Sequence, residues 1–145
     1  MQSLGVTNIY LYICTYLQPN HLTSMNIVSV REYCLALPLV TEDLPFDEAS
    51  LLFSGLGKVF ACVDMEHPEW VAMKCDAGRA QLLRDCHPVV EPAWHWNKKY
   101  WNQVLLNGSL SDDTVRHLLR HAYSEVARKL KKSERLAHPE ITKVE

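Results

Sequence analysis

The densest run of chemically capable side chains is Trp94-His95-Trp96-Asn97-Lys98-Lys99-Tyr100-Trp101-Asn102, with three of the chain's four tryptophans beside two adjacent lysines. Rings interleaved with cations suit a nucleic-acid groove. Ammonium groups neutralise phosphate and release counterions, while rings and amides contact bases. The competing reading is structural: Trp94 and Trp101 point into a core and the lysines are solvated charges at a hairpin tip. A second basic set, Arg116, Arg120, Arg128, Lys129, Lys131, Lys132 and Arg135, decorates the last helical segment and its end. Cations there favour the helix dipole, and the remainder forms a surface that could track phosphates.

Other candidates are thinner. His117 and His121 stand at i, i+4, a metal-binding spacing, but two ligands make an incomplete site, and both fall on the solvent side of their helix. The run Glu42-Asp43-Leu44-Pro45-Phe46-Asp47-Glu48 has four carboxylates without calcium-loop spacing and reads as a solvated loop. The chain has no G-x-x-x-x-G-K-[ST], G-x-G-x-x-G, G-x-S-x-G or H-E-x-x-H. The expectation is a non-enzymatic protein with no catalytic residue, metal or cofactor.

The elements that must position these residues begin at Met25. Asn26 or Ser29 caps a helix that places Val30, Tyr33, Cys34 and Leu37 at helical spacing and stops at Pro38. Three strands follow: Leu51–Phe53, Lys58–Val63 after a glycine-rich turn, and Trp70–Cys75. Asp76 caps a short helix to Cys86. Val89–Trp94 and Tyr100–Leu106 read as strands around the polar loop. In the second of these, Trp101, Gln103 and Leu105 share one face and Asn102, Val104 and Leu106 the other; mixed polarity leaves the inward face open. Ser111 caps the last helix, whose stripe is Val115, Leu118, Leu119, Ala122, Tyr123, Val126 and Leu130. The order is α-β(3)-α-β(2)-α, an α+β two-layer sandwich with an antiparallel sheet.

Bulk properties fit a single ordinary domain. The chain has 145 residues, 22% of them charged, and a formal net charge of −2. That excludes general disorder and a globally basic DNA neutraliser. The charge is uneven, because residues 1–73 carry only Arg31 and Lys58 as cations, so the second half is the basic one. Five cysteines without a C-x-x-C argue against a disulfide framework or zinc ribbon and for a reducing, cytoplasmic compartment. Residues 1–30 have no Lys, Arg, Asp or Glu. The apolar stretch from Leu4 to Leu17 has no signal-peptide features and is too short and interrupted to span a bilayer. Residues 1–24 are expected to be an appendage, 25–135 the domain and 136–145 a flexible tail.

Several segments resemble the MmcQ/YjbR family of small bacterial proteins: Met25-Asn26-Ile27, Arg31-Glu32-Tyr33-Cys34-Leu35, Thr41-Glu42-Asp43, Gly57-Lys58-Val59-Phe60-Ala61 and Lys74-Cys75-Asp76. The most specific blocks are Asn97-Lys98-Lys99-x-Trp101-Asn102-x-Val104 and Asn107-Gly108-Ser109-Leu110. The resemblance spans about residues 25–135. It implies a secretion-chaperone-like, or CyaY-like, α-β(3)-α-β(2)-α fold and a DNA-binding label inferred for the family. Frataxin-like iron binding needs an acidic first helix, and only Glu32 is available here. The resulting expectation is DNA binding of low sequence specificity. Lys98 and Lys99 would sit on phosphate, His95, Asn97 and Asn102 would be polar contacts, and Lys74 and Arg79 a second cationic site. The alternative is a chaperone-like module for a protein partner. A cationic, polar outer sheet face would favour DNA; a contiguous apolar one would favour a protein.

Overall fold

The computed structural model describes residues 25–44 and 49–144. The expected appendage, residues 1–24, and most of the acidic run, residues 45–48, lie outside the described residues, as does residue 145.

Helix α1 (Ile27–Ala36) starts at Asn26, whose Oδ1 accepts from the Val28 and Ser29 amides at 2.9 and 3.1 Å. Ser29 Oγ reciprocates by accepting from the Asn26 amide, so both candidate caps act together. Just ahead of it, the buried Met25 donates its amide to Asp112 Oδ1 at 2.9 Å, tying the start of the domain to the last long helix.

Six strands follow in one antiparallel sheet: β1 (Val40–Asp43), β2 (Ser50–Gly55), β3 (Lys58–Asp64), β4 (Trp70–Lys74), β5 (Val90–Pro92) and β6 (Trp101–Leu105), in spatial order β1-β2-β3-β4-β6-β5. Helix α2 (Ala77–Cys86) separates β4 from β5, and α3 (Asp112–Ala127) follows β6. The α+β order expected from sequence is present, with one strand more. β1 was expected as part of a loop; its sequence, VTED, has no apolar alternation. Its pairing with β2, from Val40 opposite Gly55 to Asp43 opposite Leu52, makes it a strand. A bidentate ion pair anchors it, Arg31 to Glu42 at 2.6 and 2.7 Å.

Register places Leu51, Phe53, Val63, Val71, Met73, Asn102 and Val104 on one face. The helices lie on this face, and α3 buries the whole expected stripe from Val115 to Val126, with Leu130 just beyond it. Tyr123 sits at its centre, edge-on to Phe60 at 5.5 Å, and its hydroxyl donates to the Pro38 carbonyl at 2.7 Å. Strand β2 approaches the ring so closely that a Cβ on Gly55 would stand 3.3 Å from it.

The end of the chain departs from expectation. A short helix α4 (Lys132–Ala137) and a 3-10 turn (Pro139–Val144) fold back toward α3, and Ile141 is buried in the core. Thus the described part of 136–145 is structured. Charged residues around Ile141 and Val144 hide these apolar anchors in the sequence.

Candidate functional site

The opposite sheet face carries Leu52, Cys62, Ala72, Gln103 and Trp101 by strand alternation. No described helix covers it. Instead the loop between β5 and β6 folds along it. Gln103 fixes that loop: its Oε1 accepts from the Trp94 amide at 3.2 Å and its Nε2 donates to Glu91 at 2.6 Å. The loop brings Trp94 to 5.8 Å from Trp70 and 5.3 Å from the His67 ring, centroid to centroid. Trp96 stacks on Trp101 at 4.1 Å, which seals Trp101 to 6% exposure.

The result is an aromatic groove of about 510 Å3, lined by Trp70, Trp94, Trp96, His67 and His95 over a floor of Leu52, Ala72 and Cys62. Asp64 and Glu66 stand at one end. Asp64 Oδ2 lies 3.3 Å from His67 Nδ1, and its Oδ1 accepts from the Glu66 amide. Around the groove the face is therefore apolar with an acidic rim.

The seven residues expected at a DNA surface do not converge. His95 lines the groove. Asn97 turns its Oδ1 onto the Lys99 amide at 3.0 Å, an Asx turn that shapes the loop. Lys98 curls back to donate to the Ala93 and Trp94 carbonyls. Asn102 is 1% exposed, accepting from Arg84 Nε at 2.6 Å and donating to the Ala80 carbonyl at 3.2 Å, so it is an internal strut. Arg84, which composition and spacing gave no reason to single out, also reaches the Lys98 and Trp101 carbonyls and clamps the base of the loop.

Lys99 is exposed, its Nζ 5.3 Å from the centre of the Tyr100 ring, and Lys129 approaches the same ring at 5.8 Å. Lys74 shares this end of the sheet. Burial and the ammonium groups of Lys129 and Lys58 hold its pKa below the usual 10.5, with Glu125 opposing. The lysines thus gather at one end of the sheet, away from the groove's acidic rim.

Arg79 points elsewhere, between α2 and α3, where its guanidinium meets His117 Nε2 at 2.7 Å and His121 Nδ1 at 3.2 Å. His121 is consequently half-buried, a correction to the expected pair of solvated histidines. A guanidinium stands where a shared metal would sit. Among the described residues no three His, Cys, Asp or Glu side chains converge on one point. Cys34 and Cys75 are free but buried, their thiols pushed up to about 12 and about 11 chiefly by burial, which keeps them unreactive.

Comparison with known proteins follows this geometry. The chain is 30% identical over 112 residues to the uncharacterised protein YjbR of Escherichia coli K12, covering 77% of this chain and 95% of that one; the protein of strain O157:H7 matches equally. The crystal structure of Deinococcus radiodurans protein DR2400, a DUF419 domain, superposes with a TM-score of 0.71 at 34% identity, covering 77% of this chain and 86% of that one. A Pseudomonas syringae protein shares the fold, with a TM-score of 0.58 at 24% identity over 68% of this chain and 96% of that one. The YjbR family model itself matches residues 35–125, from the end of α1 through most of α3. On that match and those relatives, the chain belongs to the YjbR family.

Proposed function

We propose that this protein is a non-enzymatic, cytoplasmic interaction module whose working surface is the aromatic groove on the uncovered sheet face. The observation that carries this reading is the composition of the groove. Indole rings wall a concave space of about 510 Å3, and carboxylates stand at its end. A cavity of this size and apolarity suits a few side chains of a partner. The acidic rim and the ring faces both favour a cation among them. The preferred partner is a protein segment that carries an arginine or lysine beside apolar residues. The free thiols at Cys34, Cys75 and Cys86 suit a reducing compartment. No helix among the described residues is long and apolar enough to cross a membrane.

Affinity selection from a random peptide library tests the reading. Selected peptides should combine a basic residue with aromatic or aliphatic ones. Trp94→Ala, at a ring already 45% exposed, should abolish their binding without loss of fold. Selection of acidic or featureless peptides, or binding untouched by Trp94→Ala, would overturn it.

DNA binding is the second reading, favoured by the cationic end of the sheet, where Lys99 and Lys129 flank Tyr100 and Lys74 and Lys58 lie close by. This surface is separate from the groove. Retention of duplex DNA that falls steeply with salt is its signature.

A further inference from the structure

The cavity between α2 and α3 is lined by Arg79, Arg120 and Arg128, with His117, His121, Ser124 and Glu125, and closed on one side by Val144 of the 3-10 turn. Its volume is about 480 Å3. Arg128 is neutralised by Glu125 at 2.6 Å. Arg79 and Arg120 form no ion pair with any described carboxylate. Arg79 is held instead by imidazole nitrogens.

Hydrogen-bond accounting around His121 shows what is missing. Arg79 Nη1 approaches its Nδ1 at 3.2 Å, and the Asp76 amide approaches its Nε2 at 3.2 Å, with Glu125 Oε1 3.8 Å from that same nitrogen. The guanidinium and the amide are obligate donors. A neutral imidazole has one acceptor nitrogen, and a protonated one has none. At least one N–H therefore faces a nitrogen that cannot accept from it. An acceptor from outside, set beside Glu125, would take up such a donor surplus in a concave site. Among the described lining residues three guanidinium groups face one carboxylate, a formal surplus of two positive charges, with Ser124 as a further polar group.

We infer that the cavity between α2 and α3 binds a small molecule through a doubly charged phosphomonoester group, held by Arg79, Arg120 and the His117–His121 pair. The volume lies within the usual range for small-ligand sites. Planar guanidinium forks match phosphate oxygens bidentately, and two charges on the ligand match the surplus. A DNA backbone presents the same phosphorus chemistry as singly charged diesters, so charge state separates the two sources. This site is distinct from the aromatic groove, and neither depends on the other.

The test is NMR titration of the full chain, following the ring signals of His117 and His121, with methyl phosphate, dimethyl phosphate and a short DNA duplex in separate arms. Methyl phosphate should give a saturable shift at both rings. Dimethyl phosphate should bind about tenfold more weakly or not at all, the loss expected from one charged contact. Arg79→Gln removes the central donor but also a support of both histidines. Arg120→Gln, at an exposed residue whose side chain makes no hydrogen bond to described residues, keeps the test independent of folding. Either variant should weaken methyl phosphate about tenfold. No saturable shift, equal affinity for mono- and diester, a response only to duplex DNA, or methyl phosphate binding unchanged in Arg120→Gln would each overturn the inference.

Discussion

Single residues here do work that their type alone does not disclose. Trp101 lies on the uncovered face yet is sealed by Trp96 at 4.1 Å, so it is a structural ring within a binding surface. Trp101→Ala should cost about 3–5 kcal/mol in urea denaturation, because it removes a large ring that is only 6% exposed and stacked on Trp96. A cost near that of a surface substitution would contradict the packing. His121 is set by its surroundings from both helices. Burial and then Arg79 of α2 lower its pKa from 6.5, Arg128 just after α3 adds to this, and Glu125 of α3 and Asp76 ahead of α2 oppose it. Below pH 6.5 the unfolded chain therefore takes up a proton more readily than the folded one. The contribution of this residue to stability is complete above the unfolded value and is lost as pH falls through the lower folded value. Replacing it by glutamine should flatten the fall in stability below pH 6.5, measured by denaturation at a series of pH values. An unchanged slope would remove His121 as its cause.

At the scale of elements, caps and periodicity carry most of the legible information. Asn26, Asp76 and Ser111 cap three helices where short polar side chains precede apolar residues, and α3 buries its predicted stripe from Val115 to Val126, with Leu130 buried just beyond its end. The reading failed where neighbours decide. β1 is a strand because β2 lies beside it, and the terminal 3-10 turn is held by Ile141. In β6 both faces are buried, one by helices and one by the loop, so polarity could not say which way Trp101 points. The groove was half legible. Trp94, His95 and Trp96 stood out as a cluster, whereas Trp70 and His67 join them only through the β4–β6 register and the fold of the loop. Between α1 and β1 the backbone of Leu39 is left-handed at φ 60°, and the residue is 39% exposed. Asparagine tolerates this conformation better. Leu39→Asn should raise stability by up to about 1 kcal/mol, because the asparagine amide can hydrogen-bond the local backbone and offset part of the left-handed cost. A loss of stability in denaturant melts would show that the leucine side chain contributes more than its backbone costs.

Across the whole molecule, charge and shape are segregated. β3 runs from Lys58 to Asp64, and its antiparallel neighbour β4 ends at Lys74, so lysines collect at one end of the sheet and carboxylates at the other. The groove belongs to the acidic end. If duplex DNA is held at all, it is held at the lysine end. Lys99→Ala and Lys129→Ala should then each reduce the salt slope of binding by about one unit. Lys98→Ala should change it less, since that ammonium already bonds to its own loop. Equal effects from Lys98 and Lys99 would show that the loop opens to meet the phosphates. The central claim, that the groove is the working surface, is tested most directly at the four indole N–H signals of the full chain. The measurement is an NMR titration with a short peptide carrying arginine between phenylalanine and leucine. The account predicts saturable shifts at Trp70, Trp94 and Trp96, weakened when Asp64→Asn and Glu66→Gln are combined. Absence of saturable shifts at these rings, or shifts of equal affinity in the double variant, would contradict it.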